Sequence, residues 1–157
     1  MSTLVVYASR HGSTKQIAEQ IARQLRLAGV KEVKCLPTDE AEAQLPEAKS
    51  VIVGSPVYAN RWHPDGAVFV EANRQELEDK KLFLFSSGGS PDLEPTIEAG
   101  LADYAPEEQV YFQGKLSKAS LNPIEKAMIY FAKGQYGDYR DWTKINTWAD
   151  QLARKVV

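Results

Sequence analysis

Leu4-Val5-Val6-Tyr7-Ala8-Ser9-Arg10-His11-Gly12-Ser13-Thr14-Lys15-Gln16-Ile17 decides how this chain folds. Leu4 to Tyr7 is a continuous apolar and aromatic run, which predicts a strand covered on both faces. A short hydroxyl-rich turn follows, and then a helical pattern. Ile17, Ile21 and Leu25 recur at i, i+4 and i+8, with Ala18 and Ala22 beside them. A strand that feeds a helix through a tight polar turn opens a βαβ unit.

Four more runs of this kind follow: Val33-Lys34-Cys35-Leu36, Val51-Ile52-Val53, Leu82-Phe83-Leu84-Phe85 and Val110-Tyr111-Phe112. Helical patterns separate most of them. Pro64 to Asn73 is opened by a first-turn proline. Pro95 to Tyr104 is a weaker pattern. The last stretch places Trp142, Ile145, Trp148, Ala149, Leu152 and Val156 on one stripe, with Asp138 and Asp141 suited to its N-terminal dipole. Alternating strands and helices predict an α/β domain: a doubly wound, five-stranded parallel sheet with helices on both faces and right-handed crossovers. The acidic stretch from Glu40 to Glu47 reads as a solvated short helix and loop.

Composition agrees with a single domain spanning 1–157. Of 157 residues, 43% are hydrophobic and 25% charged, and the net charge is -2. A chain this size buries roughly 68–70% of its unfolded surface, enough for one core. High apolar content and low net charge exclude general disorder. The charge balance also argues against a nucleic-acid partner. Cys35 is the only cysteine, which excludes a disulfide framework and a four-cysteine zinc site. Its place in a strand suggests a buried structural thiol. No secretory signal is legible, and no apolar stretch approaches the ~20 residues of a membrane span. A cytoplasmic location is expected.

Leu121 to Gly134 is an additional segment. Asn122-Pro123-Ile124-Glu125 is a helix start with a cap, a first-turn proline and an acid at the third position. Ile124, Ala127, Met128 and Phe131 form a stripe, and Ile129, Tyr130 and Ala132 leave little polar face. Such a helix packs against the body of the protein, or it touches something apolar, a membrane surface or a quinone.

In a doubly wound sheet, ligands bind beyond the carboxyl ends of the strands. After the first strand stands Ser9-Arg10-His11-Gly12-Ser13-Thr14, a hydroxyl-rich turn at a helix N-terminus that suits a phosphate. After the third stands Gly54-Ser55-Pro56-Val57-Tyr58-Ala59-Asn60-Arg61-Trp62, where Tyr58 or Trp62 can stack on a planar ring. After the fourth stands Ser86-Ser87-Gly88-Gly89-Ser90-Pro91-Asp92, whose small residues let backbone approach a ring edge. One phosphate loop, one aromatic loop and one glycine loop on the same edge describe a site for a phosphorylated flat ring. Asn60 also tolerates the left-handed backbone of a tight turn. His11 and His63 lack partners at metal-ligand spacing, so no metal site is expected. No nucleophile–base pair is legible, so no catalytic side chain is assigned.

Over essentially its whole length the chain resembles the flavodoxin superfamily. The three loops carry the resemblance. Within the superfamily it is most similar to the branch containing menaquinone-dependent protoporphyrinogen oxidase. The likeness there rests on Tyr7 to Thr14, Phe112-Gln113-Gly114-Lys115-Leu116, the helix from Asn122, and Gly137-Asp138-Tyr139-Arg140-Asp141-Trp142. Tyr58 stands where that oxidase carries a basic residue. The resemblance implies strand order 2-1-3-4-5 and FMN as cofactor. It places the phosphate on Ser9 to Thr14 and the flavin ring between Pro56–Trp62 and Ser86–Gly89, with the backbone at Ala59 and Asn60 near the ring nitrogen.

Two functions follow from it. One is a redox protein that passes electrons through bound flavin to a partner protein. The other is a flavoenzyme that oxidises protoporphyrinogen and reduces a quinone, with peripheral membrane contact through the helix Ile124–Phe131. A flavin-free interaction module on the same fold is a third.

Overall fold

A computed structural model describes residues 2–116, 122–126 and 137–157. Among the described residues, five parallel strands form the body of the sheet: β1 (Ser2–Tyr7), β2 (Val33–Pro37), β3 (Ala48–Tyr58), β5 (Lys81–Gly88) and β6 (Glu108–Gln113). Their spatial order is β2-β1-β3-β5-β6. The fold is the α/β arrangement expected. Numbering shifts by one because β4 (Arg61–Trp62) pairs antiparallel with the end of β3.

Alternation along each strand builds two cores, because successive side chains point to opposite faces. On one face, Val5, Ile52, Phe83, Phe85 and Phe112 meet helix α1 (Ser13–Leu27) and the terminal helix α6 (Trp142–Lys155). Ile17, Ile21 and Leu25 are fully buried there, as are Ile145 and Leu152. On the other face, Leu4, Val6, Val51, Val53 and Leu84 meet α3 (Pro64–Ala72), α4 (Arg74–Leu77) and α5 (Pro95–Ala102). Ala41 and Leu45 seal this face from α2 (Thr38–Ala41) and the 3-10 helix Glu42–Glu47, so the acidic stretch is only half solvated. Trp142 is 37% exposed and lies under the Arg140 guanidinium instead of joining the stripe.

Asp141 caps α6, accepting from the Lys144 N–H at 3.0 Å. Asp138 has a different task. It lies in β8 (Gly137–Asp138), which pairs with β7 (Lys115–Leu116). Hydrogen bonds from Arg140 hold its carboxyl down at about 2. A depressed carboxyl stabilises the fold above its ordinary value of 3.8, and that contribution fades as pH falls through about 2. In acid melts, Asp138→Asn is therefore expected to be less stable than the parent at neutral pH and to converge with it between pH 4 and 2.

His63 caps α3 through Nδ1, which accepts from the Asp65 N–H at 3.0 Å. Its own N–H donates to the buried Ser55 hydroxyl at 3.0 Å. His63→Ala is expected to cost about 1 kcal/mol in a urea melt, and His63→Asn to restore most of it.

Cys35 is half-buried in β2, and burial pushes its thiol up to about 11. That makes it unreactive at neutral pH. No helix among the described residues is long and apolar enough to cross a membrane. The helix expected from Asn122 to Phe131 lies within the described residues only as far as Lys126, and residues 123–126 are helical.

Candidate functional site

The turn between β1 and α1 is shaped by one glycine. Gly12 is the N-cap of α1 with φ 85°, a conformation that costs a side-chain-bearing residue roughly 1–2 kcal/mol. Its N–H donates to Ser9 Oγ at 2.9 Å, which closes the turn over Arg10 and His11. The Ala8 N–H donates to the Gly54 carbonyl at 2.9 Å, fixing the turn beside β3.

Three other segments converge on this turn. Thr14 Oγ1 and Ser87 Oγ share a buried hydrogen bond of 2.9 Å, joining the start of α1 to the end of β5. The Lys115 N–H donates to Ser13 Oγ at 3.1 Å. The Gly114 N–H donates to the Gly88 carbonyl at 2.7 Å. Ser9, Arg10, His11, Ser13, Thr14, Pro56, Val57, Tyr58, Ser87, Gly88 and Gly89 thus line one cavity, together with Gly114 and Lys115. Its free volume is ≈ 20 Å³, far below the roughly 300 Å³ or more of an ordinary ligand pocket.

Tyr58 is the aromatic wall. It stands edge-on to His11, with ring centroids 6.2 Å apart at 88°. Burial first, and then the nearby Glu125 carboxylate, push its phenol up to about 12. It is neutral at physiological pH and presents an uncharged ring.

Trp62 faces the interior. It is 6% exposed, sits in β4 and packs into the core on the α3 face. Its Nε1 donates to Ser86 Oγ at 2.8 Å. Trp62 and Ser86, expected as a stacking ring and an edge contact, satisfy each other in the interior. The cause is the length of the strands. β3 runs on to Tyr58 and β5 to Gly88, so residues read as loops are strand ends with inward-facing positions. Ala59 (φ 49°) and Asn60 (φ 60°) form the two-residue turn between β3 and β4. Asn60 has the left-handed backbone its residue type suggested. Ala59, Asn60, Arg61 and Gly12 do not line this cavity. Asn60, Arg61 and Trp62 border a different, apolar one with Ile97, Leu101 and Tyr104.

Gly114, Lys115 and Glu125 are the site residues that loop reading missed. Glu125 is 8% exposed, and its Oε2 accepts from Arg10 Nε at 2.6 Å and lies 2.8 Å from His11 Nε2. Oε1 accepts from the Asn122 N–H at 3.1 Å, while the Glu125 N–H donates to Asn122 Oδ1 at 2.8 Å. That reciprocal pair is the capping box expected at this helix start. Burial alone would raise the Glu125 carboxyl. The His11 hydrogen bond, the Asn122 N–H and the charges of His11 and Arg10 outweigh it and hold it low. The contact spans 114 residues, and nothing local in the sequence marks it.

The donor set suits a phosphate monoester: a guanidinium, an imidazole, two loop hydroxyls and a helix N-terminus. The glycine wall suits a flat ring. A Cβ at Gly88 would lie 2.9 Å from Tyr111 Oη and 3.6 Å from Val57 Cβ. Beside it, Gln113 Nε2 is buried without a hydrogen-bond partner among the described residues. Register places Gln113 opposite Gly88. The residues present therefore fit FMN.

Solved structures repeat this architecture. The chain is similar to the rubredoxin:oxygen oxidoreductase of the anaerobe Desulfovibrio gigas, at 19% identity and a TM-score of 0.70 over 99% of this chain and 36% of that one. It thus spans about a third of that larger protein. It is also similar to a flavodoxin from the domain Archaea, at 18% identity and a TM-score of 0.68 over 99% of both chains. A short-chain flavodoxin associated with a non-canonical PDU bacterial microcompartment is 15% identical, with a TM-score of 0.68 over 100% of both chains. At these identities the likeness is one of fold. No curated protein matches the sequence. The family model for the flavodoxin domain matches residues 4–142. The chain belongs to the flavodoxin domain family, a family of flavin-binding redox domains whose cofactor is FMN.

Proposed function

We propose that residues 1–157 act as a single FMN-binding domain that carries electrons between redox partners. The observation that supports this most is the convergence of three strand ends on one corner, tied by the Thr14–Ser87 and Gly114–Gly88 hydrogen bonds. FMN supplies the electron chemistry when bound. The chain's residues bind, orient and shield. Arg10, His11, Ser9 and Ser13 hold the phosphate, with Gly12 and Thr14 shaping the turn. Pro56, Val57 and Tyr58 cover one ring face. Ser87, Gly88 and Gly89 bring backbone to the ring edge, and Ala59 and Asn60 stand at its rim. A neutral aromatic wall destabilises an electron-rich ring more than a neutral one, so Tyr58 shifts the bound cofactor towards its oxidised form.

Redox titration of the FMN-loaded protein separates the roles. Two resolved one-electron steps support a carrier, and one two-electron step supports substrate oxidation. The second reading is the quinone-reducing flavoenzyme. It is favoured by Ile124, 73% exposed and adjacent to the residue that grips the phosphate turn. Reduction of a water-soluble quinone that fails in Ile124→Asp would support it.

A further inference from the structure

The carboxylate on the phosphate turn is an anion already seated where an anionic cofactor is expected. Arg10 and His11 are the turn's cationic or cation-forming side chains, and both meet Glu125 Oε2, at 2.6 and 2.8 Å. Glu125 comes from outside the sheet, from residues 122–126, and meets the turn through its carboxylate. A phosphate and this carboxylate therefore compete for the same two side chains.

We propose that Glu125 is a built-in competitor of the cofactor's phosphate, so that phosphate binding releases residues 122–126 from the turn. The proposal rests on FMN being the ligand of this corner. A phosphate monoester carries about -1.5 to -2 charges near neutral pH and three acceptor oxygens. It replaces one carboxylate oxygen on Arg10 and His11 with more charge and more acceptors. Riboflavin, which has no phosphate, leaves Glu125 in place. Glu125 thus sets selectivity between phosphorylated and unphosphorylated flavin, and it couples cofactor loading to the position of residues 122–126.

Glu125→Gln is the informative variant, because glutamine at this position still accepts from the Asn122 N–H and keeps the capping box. Its dissociation constants for FMN and riboflavin are compared with those of the parent by flavin fluorescence. FMN should bind on the order of tenfold more tightly, within the usual range of coupling between sites, and riboflavin should be unchanged. In the parent, inorganic phosphate should speed amide hydrogen exchange at Glu125 and Lys126, whose N–H groups donate to Asn122. Weaker FMN binding by Glu125→Gln would make Glu125 a support for Arg10 and overturn the proposal. So would equal changes for both flavins, or exchange rates indifferent to phosphate. Failure of both flavins to bind either protein, with exchange still responding to phosphate, would sink the FMN reading and leave the competition standing.

Discussion

Gly54→Ala is expected to be among the most damaging single-methyl additions in this protein. Gly54 lies in β3, between Tyr7 of β1 and Phe85 of β5. A Cβ there would stand 1.9 Å from Phe85 Cζ and 2.3 Å from both Phe85 Cε atoms. Phe85 is fully buried between Phe112 and Trp148, so its ring has nowhere to go. Overpacking usually costs 1–3 kcal/mol, and a contact this short belongs at or above the upper end, about 3 kcal/mol. That is a large share of the roughly 5–15 kcal/mol that holds an ordinary domain together. Phe85→Ala alone should cost about 3–5 kcal/mol by leaving a cavity. The two changes relieve one another. In urea melts, the double variant should lose clearly less than the sum of the singles. Strict additivity would mean that Gly54 is not held small by Phe85.

Gly88→Val is expected to have the largest effect on flavin uptake with a modest effect on folding. Gly88 ends β5 and lines the cavity, and its Cβ would meet the Tyr111 hydroxyl and Val57. Tyr111 cannot easily yield, because its Oη donates to the Ser90 carbonyl at 2.5 Å. A branched side chain is therefore pushed towards the cavity. There it would occupy the space needed by the ring edge and block approach to the Gly88 backbone. FMN and riboflavin should both lose affinity by on the order of a hundredfold or more, about 2.7 kcal/mol. A loss confined to FMN would instead place Gly88 at the phosphate.

The fold was largely legible because its strands are buried on both faces. Leu4 to Val6, Val51 to Val53 and Leu82 to Phe85 had to be continuously apolar, and such runs separated by amphipathic helices leave few topologies. Terminal positions were harder. Nothing in the apolar pattern shows that β3 runs on through Ser55, Pro56 and Val57 to Tyr58, because hydrogen bonds to its neighbours carry it there. That extension moved Trp62 from an exposed loop into the interior, where Ser86 satisfies its indole N–H. Ser9, Arg10 and Thr14 were legible because strand–turn–helix geometry puts them at one place. Glu125 was legible only as a helix cap. Its grip on Arg10 and His11 joins residues 114 apart in sequence, and local sequence does not encode that meeting.

Flavin binding at this corner is expected to depend on the phosphate. The most direct test is a paired titration of the flavin-free protein with FMN and with riboflavin, followed by quenching of flavin fluorescence. FMN should bind with a dissociation constant at least an order of magnitude below that of riboflavin, and the gap should narrow in high salt as the charge-assisted contacts are screened. Absence of FMN binding would contradict the account outright. Equal affinity for the two flavins would remove the turn from Ser9 to Thr14 from the binding site.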